Sequence, residues 1–265
     1  MEALLASSSL ADTALLLGLS TTRVAVAFLL VPLFTSDIVP ALVRNAMFVS
    51  IALLTVLLQP AAKPLVLTTW QWLTLFGKEA MIGAGLGFMF ASIMWAFEIA
   101  GQIIDNKVGT TQAQIVDPLS GHQTSLNGAF FARLASWVFM ASGGFMVMVA
   151  AMIESYAIWP VQGSLPNFQT MGLRVFESEF GRIMLLAVLI SAPAIVLLCI
   201  IDGVLGLINR FAQQLNVFSL SMSLKAVAST WIILVQVAVM AEFLREDLLG
   251  RGGVVLETLR RIFGG

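Results

Sequence analysis

The hydrophobic positions of this chain come in long runs separated by short polar breaks. A helix needs roughly 20 mostly apolar residues to cross a hydrocarbon core about 30 Å thick. Six runs meet or approach that length, at about 13–33, 41–58, 80–104, 129–153, 183–207 and 217–243. Pro32 and Pro40 bracket the first turn, and the stretch from Gln59 to Pro64 ends the second run. Tyr156–Arg182 reads as a longer polar connection, with Pro160, Gly163, Pro166, Asn167 and Gly172 as breakers. The tail after Glu242 is mixed in charge and predicts a short amphipathic helix. No internal repeat interrupts the series, so the pattern predicts one integral, all-helical membrane unit.

Composition sharpens this reading. The 265 residues are 59% hydrophobic and 11% charged, with a mean hydropathy of +0.95. Soluble domains carry about 25% charged residues, and 14 Lys+Arg with 15 Asp+Glu cannot give a core of this size a charged shell. A net charge of −1 with no basic run offers nothing to nucleic acid. The N-terminus has no basic stretch ahead of its apolar part, and Glu2 and Asp12 are acidic, so no cleaved signal peptide is expected. Cys199, in LLAVLISAPAIVLLCII, reads as a small buried hydrophobe. The Lys/Arg residues of the breaks divide eight to five between the two sides, too even a split to orient the chain.

Several charges lie within or at the ends of the apolar runs: Arg23, Glu98, Asp202, Arg210 and Lys225. On insertion scales each costs about 2.5–3.5 kcal/mol at a helix centre, so such residues face protein or water or sit near helix ends and snorkel. Snorkelling fits Arg23 and Lys225 less well, because apolar residues extend to both sides of them. GAGLGF, at Gly83–Phe88, lacks the preceding strand of a dinucleotide fingerprint. Gly83 and Gly87 are four apart on one helix face and predict close backbone packing, and Gly143–Gly144 and Gly203/Gly206 are expected to serve similarly.

One polar interruption stands apart. Gly101–Ser125 reads GQIIDNKVGTTQAQIVDPLSGHQTS, with three glycines, a proline, three charges and the chain's single histidine. Asp117, His122 and Ser125 have the residue types of a hydrolytic triad. Known triads converge from distant parts of the chain, and no nucleophile elbow or oxyanion hole is legible here. The sequence therefore predicts no enzyme, and one histidine with one cysteine gives no zinc site. No cofactor is expected.

The run KEAMIGAGLGFMFASIMWAFEIAGQIIDNKVGTTQAQIVDPLSG (Lys78–Gly121) resembles the central block of the FliR/SctT family, the export-apparatus membrane proteins of flagellar and injectisome type III secretion systems. INRFAQQLNVFSLSMSLK (Ile208–Lys225) resembles a second family block, with Gln213 and Ser223 where prolines are common. TRVAVAFLLVPLF, IVPALVRNAM, GGFMVMVAAMIESYAIWP and SAPAIVLLCIIDGVLGL extend the likeness over nearly the whole chain in order. Lys78-Glu79, Asp105 followed by Lys107 and Gly109, and the SLSMSLK ending look more like injectisome SctT than flagellar FliR.

The resemblance implies a single export-gate membrane domain over 1–265. Within it, residues 1–182 are SctR(FliP)-like and include a pore loop at 105–125, 183–243 is an SctS(FliQ)-like hairpin, and 244–265 is a tail. Such a subunit sits with SctR- and SctS-like chains around a central pore in the bacterial inner membrane, partly raised toward the periplasm. Unfolded secreted polypeptides pass through that pore, and energy comes from elsewhere, from the proton motive force and an ATPase. Helices packed on neighbouring subunits as well as lipid would tolerate buried charges.

The matching plug segment comprises Lys107, Val108, Gly109, Thr110, Thr111, Gln112, Ala113, Gln114, Ile115, Val116, Asp117 and Pro118. Arg23, Glu98, Asp202 and Lys225 are the expected intramembrane or subunit-packing polar residues. Asn209, Arg210, Gln214 and Asn216 form a turn that could dock an SctU(FlhB)-like switch protein or simply cap itself. The alternative from another class is a six-helix secondary transporter for a small solute, although the inverted repeat common in transporters is not legible.

Overall fold

A computed structural model describes residues 10–33, 39–58, 69–109, 125–163, 170–211 and 217–263. All seven described elements are helices: α1 (Leu10–Leu30), α2 (Ala41–Leu58), α3 (Thr69–Val108), α4 (Leu126–Ala141), α5 (Gly144–Ile158), α6 (Thr170–Phe211) and α7 (Val217–Phe263). The expected all-α membrane architecture is borne out. Three of the helices are long and apolar enough to cross a membrane, at Trp70–Val108, Phe176–Phe211 and Leu220–Gly250, and α4 with α5 could supply one more.

The differences from the apolar runs have local causes. The run at 129–153 is broken, because Gly143 adopts φ +79, a conformation only glycine takes readily. Its carbonyl accepts the Met146 and Val147 amides that open α5. Much of the polar connection after Tyr156 is helical: Pro160 stops α5, but α6 begins at Thr170. The tail is a continuation of α7, with no break between Glu242 and Phe263. At 1.5 Å per residue, α3, α6 and α7 are each about 60–70 Å long, twice the hydrocarbon thickness. A loop-charge rule has little to grip on helices that overrun the bilayer.

The chain forms two compact units. The first contains Met1–Ala91, Ser142–Glu179 and Leu248–Gly265. Its core gathers Leu19, Val24, Ala27 and Phe28 of α1 with Ile82, Leu86 and Phe90 of α3 and Met148 and Met152 of α5. The α3 and α5 positions recur every four residues, as one helix face requires. Phe28 stacks on Phe48 and packs against Phe145, tying α2 and α5 to α1.

The second unit contains Ser92–Ala141 and Phe180–Asp247. Here α6 and α7 pair through Arg182–Asp247 at one end and Asp202–Lys225 at the other. Between Arg182 and Asp202, α6 carries no charge. Twenty helical residues span about 30 Å, one hydrocarbon thickness. The most apolar window of α3 is 72% buried, whereas those of α6 and α7 are 33% and 22% buried. So α3 is a core helix, and α6 and α7 offer apolar surface to lipid or to other proteins. Gly203 and Gly206 face open space on α6, and Gly143 forms a turn, so none of the three packs closely as expected. Cys199 is exposed on α6, not buried.

Candidate functional site

The polar residues collect at three places, one in the first unit and two in the second. In the first, Arg23 of α1 is fully buried and forks onto Glu79 of α3, with Nε–Oε2 at 2.8 Å and Nη2–Oε1 at 3.0 Å. Its remaining donors reach Ser155 Oγ at 3.0 Å and the Trp159 carbonyl at 2.8 Å, and its guanidinium lies 3.9 Å from the centre of the Tyr156 ring. Tyr156, the chain's single tyrosine, donates to the Ser20 carbonyl. Beside Glu79, the Lys78 ammonium donates to the carbonyls of Pro160, Val161 and Gly163 and lies 3.4 Å from Glu79 Oε1. The chain just past α5 thus directs its carbonyls at two buried cations, an arrangement that helix C-termini favour. Arg23 is satisfied by protein on every side and does not snorkel.

The second cluster sits where α3 ends and α4 begins. Ser125 caps α4, accepting the Gly128 amide at 3.0 Å. Asp105, also buried, accepts from the Ser125 hydroxyl, from the Asn127 amide at 2.9 Å and from Asn127 Nδ2 at 2.6 Å. Its negative charge faces the positive end of the α4 dipole. Gly101 lets the backbones meet there, since a Cβ on it would lie 2.5 Å from the Asn127 carbonyl. The α3 helix closes at Gly109, whose amide bonds the Asp105 carbonyl and whose φ is +90. The chain therefore leaves and re-enters the helices at one carboxylate. Asp105→Ala should uncap α4 at a cost of about 1–2 kcal/mol. Amide exchange at 126–130 should accelerate in that variant while exchange in α5 stays put, and unchanged protection of α4 would refute the cap.

In the third cluster one carboxylate serves two cations. Asp202 of α6 lies 3.0 Å from Lys107 of α3 and 2.5 Å from Lys225 of α7. Two residues expected as separate buried charges thus form one group with the first residue of the plug segment. Val108 is buried, and Thr110–Pro118 lie outside the described residues. Glu98 is half-buried and accepts a bond from Gln102, one turn along α3. Asn209 and Arg210 are exposed at the end of α6, whereas Gln214 and Asn216 lie outside the described residues. Of the triad residue types only Ser125 is described, and its hydroxyl is engaged as a cap.

Sequence comparison identifies what these elements belong to. Residues 14–250 match the family described as bacterial export proteins, family 1. The chain belongs to that family. It is 31% identical over 225 residues to Yop proteins translocation protein T of Yersinia pestis, covering 84% of this chain and 86% of that protein. Secretion system apparatus protein SsaT of Salmonella typhimurium is 34% identical over 202 residues, 75% of this chain and 78% of its own length. Flagellar biosynthetic protein FliR of Bacillus subtilis is 27% identical over 243 residues, 91% of each chain. The FliR/SctT resemblance read from the motifs is borne out. This bacterial export protein is thus a membrane-embedded component related to both injectisome and flagellar proteins.

Proposed function

We propose that this chain is an injectisome-type subunit of a type III secretion export gate, and that 107–118 helps to close the pore through which unfolded secreted polypeptides cross the inner membrane. In this reading it assembles with SctR- and SctS-like subunits, meets an SctU-like switch protein, and has no catalytic step or cofactor of its own. The observation that carries the reading is the shared base of the segment at Asp105. A chain that departs and returns at one buried carboxylate can change its tip without disturbing the helices that hold it. Gly109, Gly121 and Pro118 discourage regular helix in between. Non-helical backbone at membrane depth is tolerated where protein or a watery cavity surrounds it, and the uncharged donors of Thr110, Thr111, Gln112 and Gln114 suit contacts that break and re-form.

Deletion of 110–117 tests this directly. Assembled complexes carrying the deletion should form in the parental amount and conduct potassium and chloride in planar bilayers when no substrate is present. Parental conductance from a fully assembled deletion complex would overturn the plug assignment.

A further inference from the structure

We propose that Asp202 is a shared counter-ion that latches the last turn of α3 to the α6–α7 hairpin, with Lys107 as its releasable arm and Lys225 as its retained one. The three charges come from three helices of one compact unit. Their exposures differ in a way that ranks the two bonds. Lys225 is 14% exposed and lies 2.5 Å from the carboxylate, whereas Lys107 is 36% exposed and lies 3.0 Å from it. An ion pair open to water is weaker than a sheltered one, because solvent screens it and hydrates the separated charge. When Lys107 lets go, its ammonium is already partly uncovered by the rest of the chain, and Asp202 keeps a counter-ion. When Lys225 lets go, a drier cation is stranded. Release at Lys107 is therefore the favoured direction.

The remaining contacts at this turn differ in kind from the latch. On another face of α3, Asp105 is held by the α4 cap, which orders the helix start whether or not Lys107 is docked. Ahead lies Gly109, which has no side chain to grip α7; even an added Cβ would reach only ordinary van der Waals distance, 3.5 Å, from the Met222 methyl. Among the described residues, the ionic tie between this end of α3 and the hairpin is therefore the carboxylate of Asp202. The outer faces of the hairpin are apolar and exposed, with Ile200, Val204 and Leu207 on α6 and Leu224, Val227 and Trp231 on α7. A shift of the hairpin under load from whatever covers those faces would move Asp202, and with it the docking point of Lys107.

The chain carries its own probe for this motion. Cys199, its single cysteine, is exposed one turn before Asp202, the residue that Lys107 pairs with. A Lys107→Cys variant removes the ionic arm and places a second thiol there, so a short, reductant-cleavable bifunctional thiol reagent can replace the latch with a covalent one. The test rests on the export-apparatus reading, and the variants are compared in assembled complexes that restore export to cells lacking the chain. Lys107→Gln should assemble in the parental amount and export faster than the parent, because one of the two bonds to Asp202 is gone while Lys225 still balances the carboxylate's charge. Crosslinked Lys107→Cys should export at least tenfold less, and reductant should restore it, while a monofunctional thiol reagent should have no effect.

Undiminished export from crosslinked complexes would make the cluster a static brace and overturn the latch. Loss of assembly in Lys107→Gln would overturn it as well, by showing a strut and not a releasable arm. Failure of the parental chain itself to restore export would instead sink the export reading, so the two ideas fail separately.

Discussion

Glu79→Gln should destabilise the protein by about 3–5 kcal/mol, the cost of leaving buried cations without their carboxylate. The expected loss is large because Glu79 answers two cations at once. Its Oε2 takes Arg23 Nε, and its Oε1 faces both Arg23 Nη2 and the Lys78 ammonium. All three side chains are at most 1% exposed, so water cannot stand in. A glutamine has the right shape but the wrong chemistry. In either orientation its amide nitrogen points a donor at a donor, and the positive charges of Arg23 and Lys78 remain.

Arg23→Lys should also fail, though less severely, since a lysine cannot fork onto the carboxylate or lie flat on the Tyr156 ring. Thermal unfolding in detergent measures both. The matched control is Glu242→Gln, which breaks an exposed pair with Arg245 on one face of α7 and should leave the unfolding midpoint where it was. A Glu79→Gln midpoint equal to the parent's would show that the buried network contributes nothing net to the fold.

That network marks the limit of what the sequence revealed. Arg23 was legible as a problem, because a charge flanked by apolar residues on both sides needs a partner. Which partner was not, since Glu79 is 56 residues away and Ser155 is 132. Two signals existed in retrospect: an adjacent Lys78-Glu79 pair ahead of a long apolar run, and a single tyrosine in a chain rich in Phe and Trp. Neither states a distance. Asp105 was hidden for another reason. In sequence it belongs to a polar loop, and only the return of the chain at Ser125 makes it a cap.

Helix existence was far easier to read than helix extent. Apolar runs report how much of a helix avoids water, so α3 was expected over 80–104 and extends to Thr69 and Val108. The backbone continues through polar residues wherever no proline or left-handed glycine stops it. The break in the 129–153 run is the converse case. Gly143-Gly144 looked like a small-residue contact and is a turn, a difference of φ that composition does not carry. Gly203 and Gly206 share the same composition again, and a Cβ on either would meet nothing within 4 Å among the described residues.

The glycines of α3 turn that ambiguity into an experiment. Gly83 and Gly87 are one turn apart, and they meet Arg23 and Ala27, which are one turn apart on α1. A Cβ on Gly83 would collide with the Arg23 carbonyl oxygen, and one on Gly87 would lie 2.5 Å from the Ala27 carbonyl and 2.9 Å from its Cα. Both obstacles are backbone, so neither can rotate aside. Gly83→Ala and Gly87→Ala should each cost about 1–3 kcal/mol through forced separation of the helices, against the usual helical gain from alanine.

Gly77 lies on the same helix, where an added Cβ would meet nothing within 4 Å among the described residues, and there Gly77→Ala should stabilise by up to about 1 kcal/mol. The same substitution on one helix should therefore change sign with position. Gly83→Ala should carry a second signature, because the displaced α1 backbone is that of Arg23 itself. Its loss should not add to that of Glu79→Gln, since residues sharing one network couple. Gly87→Ala, one turn further from the fork, should combine with Glu79→Gln more nearly additively. Full additivity at Gly83, or a neutral Gly83→Ala, would mean that α1 and α3 do not meet backbone to backbone at Arg23.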